Sequence, residues 1–438
     1  MTTHEVNQKL DIVIFGATGF TGKFVIRTIA KLSKTKNRQF TWGVAGRSEE
    51  KLKQILSDCA NQIEISLDGI PVIVADLKQE ESLKGMARRA RVIINCCGPF
   101  VYFGEPVLRA CIEEGTHHLD VSAEVHYMEE MQLKYHKQAE EKGVYVISAC
   151  AYQSIPVDLG IVYMQQHFTG TLNSVEAYLE YWEEGNSAPG SAFNYSTWES
   201  AIYVLANAKT LEKIRSKLFP RRLPDFEPKL QMKMLPHKSE VMNSWVFPFD
   251  GTDRPVVQRS QRYFYERHSK RPVQIETYFS VKSFTQLLLI NIFALLVLVL
   301  SKFSIGRKLL LKYPETFSGG LINRTTPSEE KTENIRFSMT LYGEGWEEKL
   351  PDADHQYSTT PNQVITVKVS GRNPGYGGTA IILVLAAITL VSDIDKMPSK
   401  GGVYPPGYAF ANTSLADKLN ENGVKFEILQ NEELSKSK

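Results

Sequence analysis

The chain has almost no charge of one sign to spare. Fifty-one Lys and Arg stand against forty-nine Asp and Glu in 438 residues, a formal net charge of +2. Nucleic-acid binding needs a basic stripe with interleaved aromatics, and none is present, so no nucleic-acid partner is expected. Cysteine is scarce: the five residues Cys59, Cys96, Cys97, Cys111 and Cys150 include no C-x-x-C pair, which argues against a disulfide framework or a structural zinc site. His117 and His118 are adjacent, point to opposite faces of an extended segment and cannot chelate one metal together, so no metal site is expected. No secretory signal is read at the N-terminus, where the first apolar run has the pattern of a buried strand; a reducing, intracellular setting is the expectation.

That run opens the most informative stretch. Residues 10–30, LDIVIFGATGFTGKFVIRTIA, read as an apolar strand, a glycine turn and an amphipathic helix. Such a turn offers bare backbone N–H groups, and the helix dipole favours negative charge at the same end. Gly16 permits the tight bend, Gly19 lets the backbone approach a pyrophosphate, and Gly22 lets helix and strand pack closely. Thr18 and Phe20 fill the turn between them. The spacing G-x-x-G-x-x-G in this context predicts a dinucleotide site.

The second strand pattern, residues 40–45, ends in Gly46-Arg47-Ser48 rather than in the carboxylate that usually accepts hydrogen bonds from a ribose. A guanidinium pairs with a 2′-phosphate, so Arg47 and Ser48 favour NADP(H) over NAD(H). The next apolar run, 71–75, ends in Asp76, placed to meet an adenine amino group. Residues 92–95 form another, ending in Cys96-Cys97-Gly98-Pro99, small groups suited to a cofactor's far end. Further strand patterns at 118–121 and 144–150 alternate with helical ones. The order predicts an α/β chain with an N-terminal Rossmann-type doubly wound parallel sheet over 1–160.

Beyond residue 160 the pattern suggests a second, mixed α/β domain over 161–370, with strands at 172–182, 273–283, 335–342 and 363–370, a helix at 196–219 and loops through 220–270. A final segment, 371–438, is expected to return to the first domain through an apolar helix at 379–391, too short to span a bilayer. Residues 287–300, LLLINIFALLVLVL, hold one polar member, Asn291, and are flanked by Lys282, Lys302, Arg307, Lys308 and Lys312. A span needs about 20 apolar residues. With the amphipathic continuation to 311, the segment 284–312 fits a helix lying on or dipping into a membrane; a buried helix is the alternative.

Candidate pocket residues follow the strands. Asp120, Ser122 and Glu124 alternate on one side of an extended segment, where they either position a substrate or start the next helix. Gly98-Pro99 to Gly104-Glu105-Pro106 reads either as a loop closing over a nicotinamide or as a plain connection. Tyr102, Tyr152 and Ser154 are the candidate proton donors, and Asp158 suits a helix cap or a ligand equally. No single residue is marked as catalytic.

The phrases GATGFTG (16–22), AGRSEEKL (45–52), NCCGPFVYFGEPVLRACIEEGTHHLDVSAE (95–124), ISACAYQSIPVDLG (147–160) and GGVYPPGYAFANTSLADKLNENGVKFEI (401–428) together resemble the saccharopine dehydrogenase-like oxidoreductase family, specifically its animal membrane- and lipid-droplet-associated branch. They are also similar to bacterial trans-acting enoyl reductases. One departure is Ala151-Tyr152-Gln153-Ser154, where the family commonly has Gly-x-Asp-Ser; a role needing a carboxylate at Gln153 is not available here. The resemblance implies hydride transfer with NADP(H), a lipid-linked or otherwise hydrophobic substrate, attachment to a lipid droplet or to the cytosolic face of an intracellular membrane, and a homodimer surface on the second domain. The alternatives are a non-catalytic nucleotide-binding scaffold on lipid droplets, and an amino-acid oxidoreductase of the saccharopine type, which would need arginines or lysines converging on the pocket.

Overall fold

The computed structural model describes residues 9–35, 40–185, 191, 195–206, 208–249, 251–320, 322–324, 328–349, 352–357 and 359–433. Six strands alternate with helices from the start: β1 (Leu10–Phe15), β2 (Trp42–Gly46), β3 (Val72–Val74), β4 (Ala90–Asn95), β5 (His117–Asp120) and β6 (Tyr145–Ile147). The helices between and after them are α1 (Phe20–Ser33), α2 (Glu49–Ile63), α3 (Glu80–Arg88), α4 (Phe100–Glu113), α5 (Val125–Lys142) and α6 (Ile155–His167). Every strand pair in this sheet is parallel. Strand alternation covers both faces: Ile12 and Ile14 pack towards α1 and α2, while Val13 and Phe15 pack towards α3 and α4.

The second sheet contains β7 (Thr171–Glu183), β8 (His237–Ser239), β9 (Ser244–Pro248), β10 (Gln274–Val281), β11 (Ile335–Trp346), β12 (Gln363–Arg372) and, at its edge, the last strand of the chain. It is mixed: β7 and β10 are parallel and the other pairs antiparallel. Its helices are α7 (Tyr195–Ala206), α8 (Ala208–Leu218), α9 (Asp253–His268), α10 (Phe284–Ser301), α11 (Ser304–Lys312), α12 (Pro314–Phe317) and α13 (Glu329–Asn334). Helix α6 joins the two sheets. Gly160 lies so close to β11 that a Cβ there would meet Leu341 Cδ1 at 2.6 Å, and one apolar core runs through both layers.

The structure corrects several expectations. Residues 220–270 are not all loop: they contain the β8–β9 hairpin and the 16-residue helix α9. Its many charges obscured the helix, yet Pro255 sits in the first turn, where proline is tolerated, and Val256, Val257 and Phe264 supply the buried face. The helix expected at 196–219 is two, α7 and α8. The terminal segment divides between the sheets. Helix α14 (Thr379–Ser392) is buried against α1, and β13 (Gly402–Tyr404) pairs with β6, whereas β14 (Lys425–Glu433) pairs with β12. The order of the first sheet is thus β13-β6-β5-β4-β1-β2-β3.

Helix α10 is 18 residues long and apolar, and it lies outside the core. Leu287 and Ser301 are buried against the body, while Phe284, Leu288, Leu289, Ile292, Leu295, Leu296, Leu298 and Val299 are exposed. Phe303, Ile305 and Leu309 extend the exposed apolar surface onto α11.

Candidate active site

The strand order reverses at β1, which has β4 on one side and β2 on the other. A crevice outside the carboxyl ends of β1 and β4 is where such sheets bind ligands. The sequence from Gly16 builds that crevice. Gly16 has φ +80°, and a Cβ on it would come 2.6 Å from Cys97 Sγ at the end of β4. Gly19 donates its N–H to the Gly16 carbonyl at 2.9 Å and leads into α1. A Cβ on Gly22 would stand 2.5 Å from the Gly16 oxygen. No acidic side chain occupies the first turn of α1 and no side chain caps its amides. Thr18 is exposed on the turn, and Phe20 is held aside against Phe24 and Tyr376, with ring centroids at 5.4 and 4.5 Å. The result is a glycine cradle leading into a helix start whose amides no side chain caps, which fits a pyrophosphate.

Arg47 follows β2, is exposed, and has no hydrogen bond or ion pair among the described residues. Ser48 caps α2, its Oγ accepting from Lys51 N at 3.3 Å. Asp76 Oδ1 accepts from Lys78 N at 3.0 Å, which shapes the turn after β3. Across the crevice, Cys97 N donates to Asn95 Oδ1 at 3.0 Å. Burial pushes the Cys97 thiol up to about 12, with Arg47 pulling the other way, and raises Cys96 further. Neither is a reactive thiolate at neutral pH.

The cluster after β5 serves the framework. Asp120 is fully buried; it accepts from Ser122 N at 2.9 Å, Ser148 Oγ at 2.9 Å and Ala149 N at 3.3 Å. Burial raises its carboxyl to about 6 despite those bonds. Burial likewise holds the neighbouring His118 imidazole down at about 3, hence neutral. Ser122 Oγ accepts from Glu124 N at 3.1 Å. Glu124 reaches back over α4: its two oxygens accept from Phe100 N at 2.9 Å and Val101 N at 2.7 Å. That capping explains why α4 starts at Phe100 rather than at Gly104, leaving Pro106 inside the helix. The expected loop over 98–106 is therefore only Gly98 and Pro99, followed by helix.

Tyr102 stands exposed on α4, edge-on to Tyr203 of α7 with centroids 5.6 Å apart. Ser200, also on α7, reaches Glu124 Oε1 at 3.5 Å. Tyr152 lies between the sheets, its hydroxyl accepting from Tyr181 OH at 2.7 Å, and burial raises both phenols. Ser154 is buried and its Oγ donates to the Gln153 carbonyl at 2.7 Å. Asp158 caps nothing in its own helix; its Oδ2 accepts from Ser260 Oγ at 2.7 Å and Gly407 N at 2.6 Å, tying α6 to α9 and to the chain after β13. The structure brings Gly16, Arg47 and Cys97 together at one crevice and sets Tyr152 apart, under the second sheet. Sequence reading missed Asn95, which positions the Cys97 amide, and Tyr181, which completes the phenol pair. Asn95 at a strand end was the only local signal for either.

Residues 12–147 match the family model described as the saccharopine dehydrogenase NADP binding domain. A "Saccharopine dehydrogenase-like oxidoreductase" of Rattus norvegicus is 37% identical over 97% of this chain and 98% of its own length. The chain belongs to the saccharopine dehydrogenase-like oxidoreductases. A "Lipid droplet localized protein" of Caenorhabditis elegans is 34% identical over 96% of this chain and 98% of that one. A more distant relative, a "Trans-acting enoyl reductase" of Mycobacterium ulcerans, is 26% identical over 95% and 97% of the two chains. Saccharopine dehydrogenase (L-Glu forming) of Saccharomyces cerevisiae shares the fold, with a TM-score of 0.51 at 12% identity, over 96% of this chain and 100% of that one. This family member is an oxidoreductase whose cofactor is NADP(H).

Proposed function

We propose that this oxidoreductase acts on a hydrophobic or lipid-linked substrate at a membrane or lipid-droplet surface. The observation that carries the reading is the exposed apolar face of α10 and its connection to the cofactor side. Helix α7 packs on α10 and α11, where Trp198 Nε1 donates to the Leu310 carbonyl at 2.9 Å. The same helix carries Ser200 and Tyr203, which touch Glu124 and Tyr102 beside the start of α4. A lipid surface against α10 would thus lie one helix away from the nicotinamide end of the crevice.

Helix α10 touches the body at both ends, through Phe284 on Trp245 and through Val297 and Leu300 in the α7–α11 cluster. Leu289 and Leu298 lie on opposite sides of α10 and both are exposed, so lipid would meet most of the helix's circumference. Lys302, Lys308 and Lys312 are exposed at its end, suited to anionic headgroups. The lipid-droplet name of the worm relative and the enoyl-reductase name of the mycobacterial one agree with this reading.

In the crevice, Gly16, Gly19 and Gly22 would hold the pyrophosphate, Arg47 and Ser48 the 2′-phosphate, Asp76 the adenine, and Cys97, Gly98 and Pro99 the nicotinamide end. The bound dinucleotide supplies the hydride. The chain's part is to orient it and to keep the surroundings apolar; Asp120 and Glu124 are already occupied, which leaves Tyr102 as the candidate proton donor beside the crevice. The test is NADPH oxidation by the purified full-length protein with vesicles containing α,β-unsaturated acyl lipids. Vesicle-dependent turnover is expected. NADPH binding without turnover on any hydrophobic acceptor would favour the scaffold alternative.

A further inference from the structure

A pocket of about 360 Å³ opens behind α9, between α8, the chain at 219–230 and the start of β10. It lies apart from the cofactor crevice. Asp253, Val257 and Ser260 form one buried face of α9, with Ser260 meeting Asp158, whereas Arg254, Gln258 and Arg262 line the pocket on the other face.

The pocket gathers an unusual excess of donors. Arg215 binds Glu129 through two nitrogens, with contacts from 2.9 to 3.1 Å. Arg254 pairs with Glu276 at 3.1 Å, Arg262 with Glu266 at 2.8 Å, and Lys229 with Asp225 at 3.8 Å. Arg259 is the exception. It is 4% exposed, donates Nε to Gln132 Oε1 at 2.7 Å, and has no carboxylate in ion-pair distance among the described residues. Its two terminal nitrogens have no hydrogen-bond partner there either. A buried guanidinium with two terminal nitrogens left unpaired is costly, and an anion relieves that cost.

Two further donors share the deficit. Gln261 is 1% exposed; Val273 N donates to its Oε1 at 3.0 Å, which fixes the amide and leaves Nε2 unpartnered. Arg254 Nε is buried without a partner as well. Apart from Gln274, the rest of the wall, including Phe226, Leu230 and Ile275, is apolar. We infer that this pocket binds a small organic anion, a carboxylate or phosphate on a short apolar arm, with Arg259 as its central ligand. This inference is independent of the proposed lipid substrate, because the pocket shares no lining residue with the crevice.

The test titrates the full-length protein by calorimetry with octanoate, octyl phosphate, inorganic phosphate and octanol. Saturable binding of octanoate or octyl phosphate is expected, with octanol silent. Arg259→Gln should weaken it at least about ten-fold, the loss of a charge-assisted pair. Gln258→Trp, a change at the exposed rim, should also weaken it by closing the mouth, with NADPH affinity unchanged. If Arg259→Gln no longer binds NADPH and so is misfolded, Gln258→Trp decides alone. Which of octanoate and octyl phosphate binds more tightly tells a carboxylate source from a phosphate source. No saturable binding of either anion, binding indifferent to Gln258→Trp, or inorganic phosphate binding as tightly as octyl phosphate would overturn the inference.

Discussion

The double substitution Leu288→Glu, Leu295→Glu tests the lipid surface most directly. The two residues are seven apart, on one face of α10, and 53% and 64% exposed. Full burial of a leucine side chain contributes about 1.5–3 kcal/mol, so seating the remaining half to two-thirds in lipid contributes about 1–2 kcal/mol each. The pair then accounts for about 2–4 kcal/mol, before the added cost of placing carboxylates against hydrocarbon. At 1.4 kcal/mol per ten-fold, partition onto lipid should fall by at least about thirty-fold. The assay is flotation of the purified protein with triolein emulsions coated in phospholipid. Both side chains are on the surface, so NADPH binding and thermal unfolding should be unchanged. Equal flotation of variant and wild type, or no flotation of the wild type, would refute the reasoning.

Three other outcomes are expected. Arg47→Ala should weaken NADPH binding about ten- to one-hundred-fold, the worth of about 1.5–3 kcal/mol for bonds to a charged group. NADH binding, read by the same fluorescence titration, should hardly move, and equal loss of both would remove Arg47 from the 2′-phosphate. Gly22→Ala places a methyl 2.5 Å from the Gly16 oxygen, so urea unfolding should show a loss of about 1–3 kcal/mol together with impaired NADPH binding. For Asp158, burial raises the carboxyl to about 7 from 3.8, so the folded state keeps a proton that the unfolded chain releases between those values. Stability from this group therefore falls as pH rises through that window, and the deficit is complete above about 7. Asp158→Asn should remove that slope: its stability relative to wild type, by chemical denaturation, should rise from pH 4 to pH 7 and then level off. A constant difference would show that Asp158 does not titrate there.

Much of the first domain was legible locally. The glycines at 16, 19 and 22 demand a particular turn, and the strand–helix alternation around them admits few other arrangements. Arg47 stands one residue after a strand end, which is enough to favour a phosphate over a bare ribose hydroxyl. The apolar run at 287–300 was equally visible, but its environment was not. Buried and exposed apolar helices share one composition, and only the packing of Leu287 and Ser301 against the body, with Leu288 and Leu295 left outside, separates them.

Polar residues were harder, because their roles depend on partners far along the chain. Glu124 looked like a pocket acid or a first-turn acid of the helix that follows it. It caps α4 instead, through Phe100 and Val101. Asp158 is spent on Ser260 and Gly407, about one hundred and two hundred and fifty residues away. Helix α9 hid among charges because its Arg254, Arg259 and Arg262 line a pocket rather than face open water. The sequence by itself determined the glycine turn, the NADP(H) preference and the apolar helix, since each rests on local backbone geometry or on composition. Tertiary structure alone decided which carboxylates are structural, where α10 lies, and that Arg259 is buried with its terminal nitrogens unpartnered among the described residues. Those properties arise from burial and long-range pairing, which no local pattern encodes.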